Sequence, residues 1–220
     1  MSPRPSSLPF SLLLIADEES AAKSGRSVVD VVTRALAAKG AHRVAVLLRD
    51  KVSAGAHVEQ RARALLPVVE GAGARLLLHS HVEIAVALGL SGLHLASGRE
   101  VRGARERLPR GALLGASRHR GDALDEGALA ALDYVLLSPV FRPTSKPDDE
   151  RPPLGLAELR EATARSARPV VALGGVTPVN AAPCLSAGAA AIAVLGGVVE
   201  ADDPSRALAA YLEVLDEVPC

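Results

Sequence analysis

The sequence predicts a single α/β domain, a (β/α)8 TIM barrel, and three observations support that fold class. Short apolar runs alternate with longer amphipathic stretches eight times along 220 residues. The apolar runs are continuous, as expected of strands that are covered on both faces. The connections are short, which is typical of a parallel sheet. Eight such units fit a compact barrel, and a doubly wound open sheet is the alternative.

The predicted elements follow one another in a regular order. Each apolar run is followed by a helical stretch, and the first of these is expected to end at Gly40, a residue suited to a helix C-cap. Residues 1–10 are expected to form a disordered tail and residues 11–220 the barrel. The predicted strands are residues 11–17, 43–50, 75–80, 92–97, 113–118, 134–140, 169–176 and 191–199.

Composition argues against several classes of protein. Hydrophobic residues make up 49% of the chain and charged residues 23%, as in a folded globular protein. The 25 basic and 25 acidic residues balance, so there is no basic excess for nucleic acid. No apolar run approaches the roughly 18 residues that cross a bilayer, and the first apolar stretch is too short for a secretory signal. We expect a cytoplasmic protein, and the distant Cys184 and Cys220 fit a reducing compartment.

The barrel fold directs attention to the residue that follows each strand, because active sites of this fold lie at the carboxyl ends of the strands. His94 differs from the other candidates, since it lies inside the fourth apolar run. Neither Cys nor carboxylate has ligand spacing with His79, His81 and His94, so we predict no transition-metal site. The side chains at predicted strand ends are Arg49, Lys51, His79, Ser80, Ser97, Ser117, His119 and Ser138.

Two Gly-Gly pairs, Gly174–Gly175 and Gly196–Gly197, end the seventh and eighth strands. Paired glycines let the backbone approach a ligand, and loops after these two strands commonly bind phosphate in this fold. The alternative is that the glycines only allow tight turns or close packing. Thr177 precedes Pro178, so it is expected to cap the next helix or to donate to a phosphate.

Basic residues suggest a second anion site. Arg49 and Lys51 are two residues apart, so in extended chain they share a face and can point together into the barrel mouth. The long polar segment "SPVFRPTSKPDDERPPLGL" after the sixth strand is a candidate lid. Lys146 is its expected anion ligand, because the point charge of an ammonium group suits phosphate.

The segments "LLIAD", "LLRDK", "HVEIAVALGLSGLHL", "GASRH", "DYVLLSPVFRPTSKP" and "PVVALGGVTPVNAAPCLSAGAAAIAVLGGV" resemble the thiamine-phosphate synthase and thiazole tautomerase superfamily over residues 11–215. The resemblance implies an enzyme that joins hydroxymethylpyrimidine pyrophosphate to a thiazole phosphate and releases pyrophosphate. It places Arg49, Lys51 and Lys146 at the pyrophosphate, and Ser117 at the strand-five serine of the family. It places the thiazole phosphate at Gly174, Gly175, Leu195 and Gly196.

The chain departs from the synthase pattern at the metal. The resemblance implies Mg²⁺, but His79-Ser80 stands where the family has Asn-Asp, and Arg99 stands where it has a metal-binding Asp. Mg²⁺ requires oxygen ligands, and Arg99 would repel it and could instead neutralise a phosphate directly. These residues argue against the ion, and whether Glu100 or Asp50 restores a site is left open.

The tautomerase pattern is not met either. Its acid–base histidine corresponds to Pro139, so His79 or His119 would have to act as the base, and we expect both to titrate near neutrality. Synthase-type transfer is the preferred function. A metal-independent isomerase and a non-catalytic binder of a pathway phosphate remain as alternatives, and a homodimer is left open.

Overall fold

The computed structural model describes residues 8–96, 100–122, 126–143 and 151–217. Within these residues eight parallel strands form a closed barrel in sequence order, and the first strand pairs with both the second and the eighth. The predicted TIM barrel is therefore confirmed. The strands are β1 (Leu12–Asp17), β2 (Val44–Arg49), β3 (Arg75–His79), β4 (Gly92–Leu95), β5 (Leu113–Arg118), β6 (Tyr134–Leu137), β7 (Val170–Ala172) and β8 (Ala191–Val194).

Helices follow the strands and cover the outside of the barrel. A short α1 directly follows β1, and a 3-10 helix at Ala41–Arg43 precedes β2. In the described part of the chain, no helix combines the length and the apolar character needed to cross a membrane. The α-helices are α1 (Glu18–Lys23), α2 (Val28–Ala35), α3 (Gly55–Gly71), α4 (Val82–Ala87), α5 (Val101–Arg107), α6 (Glu126–Ala131), α7 (Gly155–Arg165), α8 (Pro178–Ser186), α9 (Gly196–Val199) and α10 (Pro204–Glu217).

Several predicted boundaries are wrong. The predicted strands 134–140 and 169–176 extend past the observed ends, since β6 ends at Leu137 and β7 at Ala172. The apolar run 191–199 was expected to be one strand, but β8 ends at Val194 and the run continues into α9. Val198 and Val199 are fully buried, and an apolar run alone does not distinguish a buried strand from a buried helical turn. Gly40 does not cap α2, because α2 ends at Ala35. Gly40 instead takes a left-handed conformation (φ 88°) before the 3-10 helix.

The core has two layers. One lies between the strands and the helices, and the other fills the inside of the barrel with side chains that include Leu13, Leu47 and Leu77. Phe10 is buried beneath the strands, where its ring meets that of Tyr134 edge-on at 5.7 Å. Phe10 was assigned to the disordered tail by the sequence, but it packs in the barrel interior; residues 1–7 lie outside the described residues. At the opposite end, the carboxyl ends of the strands, polar side chains line the barrel mouth.

Candidate active site

Two adjoining cavities open at the carboxyl ends of the strands. The first, of about 260 Å³, is called the cationic cavity; it is lined by Ile15, Leu47, Arg49, Lys51, His79, His94, Ala96, Ser117, His119, Leu136, Ser138, Arg151, Leu173 and Leu195. The second, of about 110 Å³, is called the glycine cradle; it is lined by Ser138, Pro139, Pro143, Arg151, Leu173, Gly174, Gly175, Val176, Ala193, Val194, Leu195, Gly196 and Gly197. The two cavities share Ser138, Arg151, Leu173 and Leu195.

Arg49 is fixed in the cationic cavity by an ion pair. The register of β1 and β2 places Asp17 opposite Arg49, and the Arg49 guanidinium donates to the Asp17 carboxylate. The same carboxylate accepts the Ser20 N–H at 3.0 Å and so caps α1. The side chains of Arg49 and Asp17 are only 15% and 6% exposed. The ion pair holds the arginine at the end of β2 while its charge still faces the cavity.

Arg151 is a cavity residue that the sequence did not single out. It enters from the chain that returns to α7 after the long polar segment, and it borders both cavities. Its Nη1 lies 3.1 Å from His119 Nε2. In the sequence Arg151 is one charge among several in that segment, and Lys146 is the residue predicted there as the anion ligand. The signal that would have found it, its position at the boundary between two cavities, exists only in three dimensions.

His119 has its tautomer set by Ser138. Its Nδ1 lies 2.9 Å from the backbone carbonyl oxygen of Ser138. A carbonyl oxygen only accepts, so Nδ1 carries the proton and donates it. Arg151 Nη1 lies 3.1 Å from both ring nitrogens, so the guanidinium packs against the face of the His119 ring. His119 therefore orients Arg151 at the cavity wall.

A buried hydrogen-bonded chain runs from Tyr134 through His94 to Ser117. Register places His94, Gly115 and Tyr134 side by side on three neighbouring strands. A Cβ on Gly115 would lie 2.1 Å from the tyrosine ring, so only glycine lets that ring lie across β5. The tyrosine hydroxyl is 3.0 Å from His94 Nδ1, and Ser117 Oγ is 2.9 Å from His94 Nε2.

Burial selects one tautomer for His94. Tyr134 is completely buried, and burial raises the pKa of its hydroxyl, which therefore keeps its proton. An unpaired buried hydroxyl proton costs about 1–3 kcal/mol, so Tyr134 donates to Nδ1. Nε2 then carries the proton of His94 and donates it to Ser117 Oγ. The hydroxyl hydrogen of Ser117 is left to donate to a molecule in the cavity.

Two histidines of the cationic cavity, His79 and His94, are neutral at neutral pH. Burial, reinforced by the charges of Arg49 and Lys51, lowers the pKa of His79 to about 4. Burial lowers the pKa of His94 to about 3. The expectation that His79 titrates near neutrality is therefore wrong. His81, which the sequence analysis considered together with His79 and His94, occupies the N-cap position of α4 and does not line either cavity.

The glycine cradle is built from backbone. Gly174 and Gly175 have φ of 99° and 60°, a region that favours glycine. A Cβ on Gly174 would lie 2.7 Å from Pro139 Cα, so close packing is also a reason for this glycine. Thr177 caps α8, and its N–H donates to the Asn180 side chain at 2.7 Å. Thr177 is exposed and does not line the cradle, so the capping interpretation has structural support and the phosphate interpretation has none.

The carboxylates nearest the cavity do not fit a Mg²⁺ site. Asp50 Oδ2 accepts from Arg61 at 2.7 Å, and its Oδ1 accepts the N–H groups of Val52 and Ser53. Burial alone would raise the pKa of Asp50, but these hydrogen bonds and the charge of Arg61 hold it below its usual value. Asp17 is held by Arg49. Within the described ranges no cluster of three potential metal ligands occurs.

The remaining candidates do not supply the missing ligands. Glu100 is exposed at the start of α5, and Ser80 is exposed after β3; neither borders the cationic cavity. Lys146, Arg99 and Ser97 lie outside the described residues, so their predicted roles stay predictions.

Comparison with known proteins identifies the family of this chain. The family model described as thiamine monophosphate synthase matches residues 12–198. A thiamine-phosphate synthase of Methanoculleus marisnigri is 37% identical over 199 residues, which are 90% of this chain and 92% of that protein. A thiamine-phosphate synthase of Natronomonas pharaonis is 32% identical over 95% of this chain and 96% of its own length.

A solved structure shares the fold. It is the thiamine phosphate pyrophosphorylase of Pyrococcus furiosus, with a TM-score of 0.76 at 23% identity, and the match covers 96% of this chain and 98% of that one. The family model covers most of the barrel, and the relatives match almost end to end. The chain belongs to the thiamine monophosphate synthase family.

Proposed function

We propose that this protein joins hydroxymethylpyrimidine pyrophosphate to a thiazole phosphate and releases pyrophosphate. The observation that carries the proposal is the shared boundary of the two cavities, one lined with cations and the other with glycine backbone. Two phosphorylated substrates can then bind side by side with their reacting ends at that boundary. This arrangement suits a reaction that joins two anionic molecules, since holding them together lowers the entropic part of the barrier.

The reaction needs charge stabilisation more than proton transfer. The bond between the pyrimidine methylene carbon and the bridging oxygen breaks, and its electron pair leaves with pyrophosphate. The thiazole nitrogen then gives its lone pair to the methylene carbon and becomes the thiazolium nitrogen. No proton enters or leaves in these two steps. Donors and cations aimed at the departing oxygen are what accelerates such a step.

The residues of the cationic cavity match that requirement. Arg49 is held rigidly by Asp17, and Arg151 lies against His119, so neither guanidinium has to be ordered at the moment of reaction. The Ser117 hydroxyl, oriented by His94, provides a neutral donor beside them. Lys51 adds a further positive charge at the cavity. Together these groups stabilise the negative charge that develops on pyrophosphate.

The isomerase alternative is less well supported by the histidines. A general base works best with a pKa near the working pH, whereas that of His79 is lowered to about 4. His119 Nδ1 is protonated and donates to the Ser138 carbonyl, and Arg151 Nη1 lies against the ring at 3.1 Å from both nitrogens. His119 is thus a packing partner of Arg151 in this structure.

A direct assay tests the proposal against the isomerase and the non-catalytic binder. Purified protein is mixed with hydroxymethylpyrimidine pyrophosphate and thiazole phosphate, once with Mg²⁺ and once with EDTA, and thiamine phosphate is measured. Product in either condition, lost in the Ser117→Ala variant, supports the transferase. Absence of product in both conditions contradicts it. Turnover of the thiazole carboxylate phosphate instead would identify the isomerase.

A further inference from the structure

We propose that the cationic cavity binds the pyrophosphate group without a metal ion, and that Arg151 takes over the contact to the anion that Mg²⁺ would otherwise make. This inference rests on the proposed function for the identity of the anion. It concerns the same site but a different property, the source of the positive charge.

Cationic side chains outnumber carboxylates on the described wall of the cavity. Arg49, Lys51 and Arg151 line it, and among the described residues that line it no Asp or Glu occurs. Arg49 and Lys51 both lie close enough to His79 to lower its pKa, so their charges converge on one wall. A cavity of this kind suits a polyvalent anion and repels a free divalent cation.

The carboxylates that could hold Mg²⁺ beside the cavity already have partners. Asp17 neutralises Arg49, and Asp50 is fully buried and accepts three hydrogen bonds from its own loop and from Arg61. Mg²⁺ needs near-octahedral oxygen ligation at short distances. To provide it, Asp17 or Asp50 would have to give up an ion pair made in the protein interior. Breaking either ion pair leaves a partly buried arginine without its carboxylate, so the exchange is unfavourable.

Arg151 stands where the two anions would meet. It borders the cationic cavity and the glycine cradle at once, and His119 holds it in that position. A guanidinium offers several N–H donors in a plane, so it can bridge oxygens of two phosphate groups as a divalent ion does. Because the guanidinium belongs to the chain and stays protonated, it remains in place when pyrophosphate leaves.

The test is the binding of inorganic pyrophosphate by calorimetry, with protein stripped of metal and kept in EDTA. The variants are Arg151→Gln, Arg151→Lys and the matched control Arg63→Gln, an exposed arginine on α3 that pairs with Glu59 away from both cavities. We expect binding in EDTA and no tighter binding in Mg²⁺. Loss of one charged hydrogen-bonding group predicts that Arg151→Gln weakens binding about tenfold or more, with partial recovery in Arg151→Lys and no change in the control.

Two results would overturn the inference. One is pyrophosphate binding that appears only when Mg²⁺ is added. The other is unchanged affinity in Arg151→Gln while its melting temperature equals that of the parent protein. The synthase assay separates this inference from the proposed function. Product formed only with Mg²⁺ would keep the function and remove the metal-free site, whereas metal-free binding without any product would do the reverse.

Discussion

The two cavities of this barrel are lined by different kinds of group, one mainly by backbone and the other mainly by side chains. The glycine cradle is made mainly of backbone after β7 and β8, and a Cβ at Gly174, Gly175 or Gly197 would collide with a neighbour. The cationic cavity is lined mainly by side chains, among them Arg49, His79 and Ser117 near the ends of β2, β3 and β5. The departures from the synthase pattern, His79-Ser80 and Arg99, are changes of side chain, and His79 lines the cationic cavity. A binding site made of backbone is tied to the fold, and one made of side chains can change its chemistry without changing the fold.

The largest effect that tests this contrast is expected at Arg49. Replacing it with glutamine removes a cation from the cavity and leaves the Asp17 carboxylate buried without its partner. Breaking a buried ion pair from one side costs about 3–5 kcal/mol, so Arg49→Gln should unfold well below the parent protein in urea. Its pyrophosphate affinity should also fall by at least tenfold.

A double variant separates the two effects. Asp17→Asn removes the orphaned charge, while the asparagine oxygen can still accept the Ser20 N–H at the start of α1. Asp17→Asn combined with Arg49→Gln should therefore recover most of the stability and none of the pyrophosphate affinity. Recovery of both would show that Arg49 serves the fold alone and does not bind the anion.

The cradle should respond in the opposite way. A Cβ on Gly174 meets Pro139 at 2.7 Å and requires a φ of 99°, so Gly174→Ala should cost about 2–3 kcal/mol. The KM for thiazole phosphate should rise with it. Gly111→Ala is the matched control, because Gly111 has φ 86° but open space around its Cα. Equal destabilisation in urea titrations of both variants would mean that backbone strain alone, and not contact with Pro139, explains the effect.

Sequence patterns predicted the backbone side of the site better than the side-chain side. Continuous apolar runs and Gly-Gly pairs are local signals, and they located the strands and the cradle. The partner of Arg49 depends on the register between two strands, and the loss of Asp50 as a ligand depends on Arg61 reaching back from α3. The position of Arg151 at the wall shared by the two cavities is a property of the folded chain alone. Each of these depends on a contact between residues that local pattern does not encode.

His79 should add no charge to the cationic cavity near neutral pH. His79, with a pKa of about 4, binds no proton at pH 6 to 7 when folded, whereas its unfolded form begins to bind one below pH 6.5. The contribution of neutral His79 to the free energy of unfolding is therefore fully present above about pH 6.5. It falls by about 1.4 kcal/mol per pH unit from there toward pH 4. Urea unfolding at pH 7, 6 and 5 should show a steeper loss for the parent protein than for His79→Asn. Equal slopes would show that His79 titrates normally.

The smallest effects are expected from two buried tyrosines, one behind each cavity. The Tyr134 hydroxyl is bonded to His94, which orients Ser117, and the Tyr211 hydroxyl donates to the Val176 carbonyl beside the cradle at 3.0 Å. Each Tyr→Phe variant removes one buried hydrogen bond, so each should lose about 1 kcal/mol of stability. Only Tyr134→Phe should also lower kcat, by about tenfold, because His94 is then free to change tautomer and Ser117 loses its orientation. Nitrogen NMR of the His94 ring reports that tautomer directly. A His94 tautomer and a kcat that are the same in Tyr134→Phe and Tyr211→Phe would show that the chain from Tyr134 to Ser117 supports the fold and not the reaction.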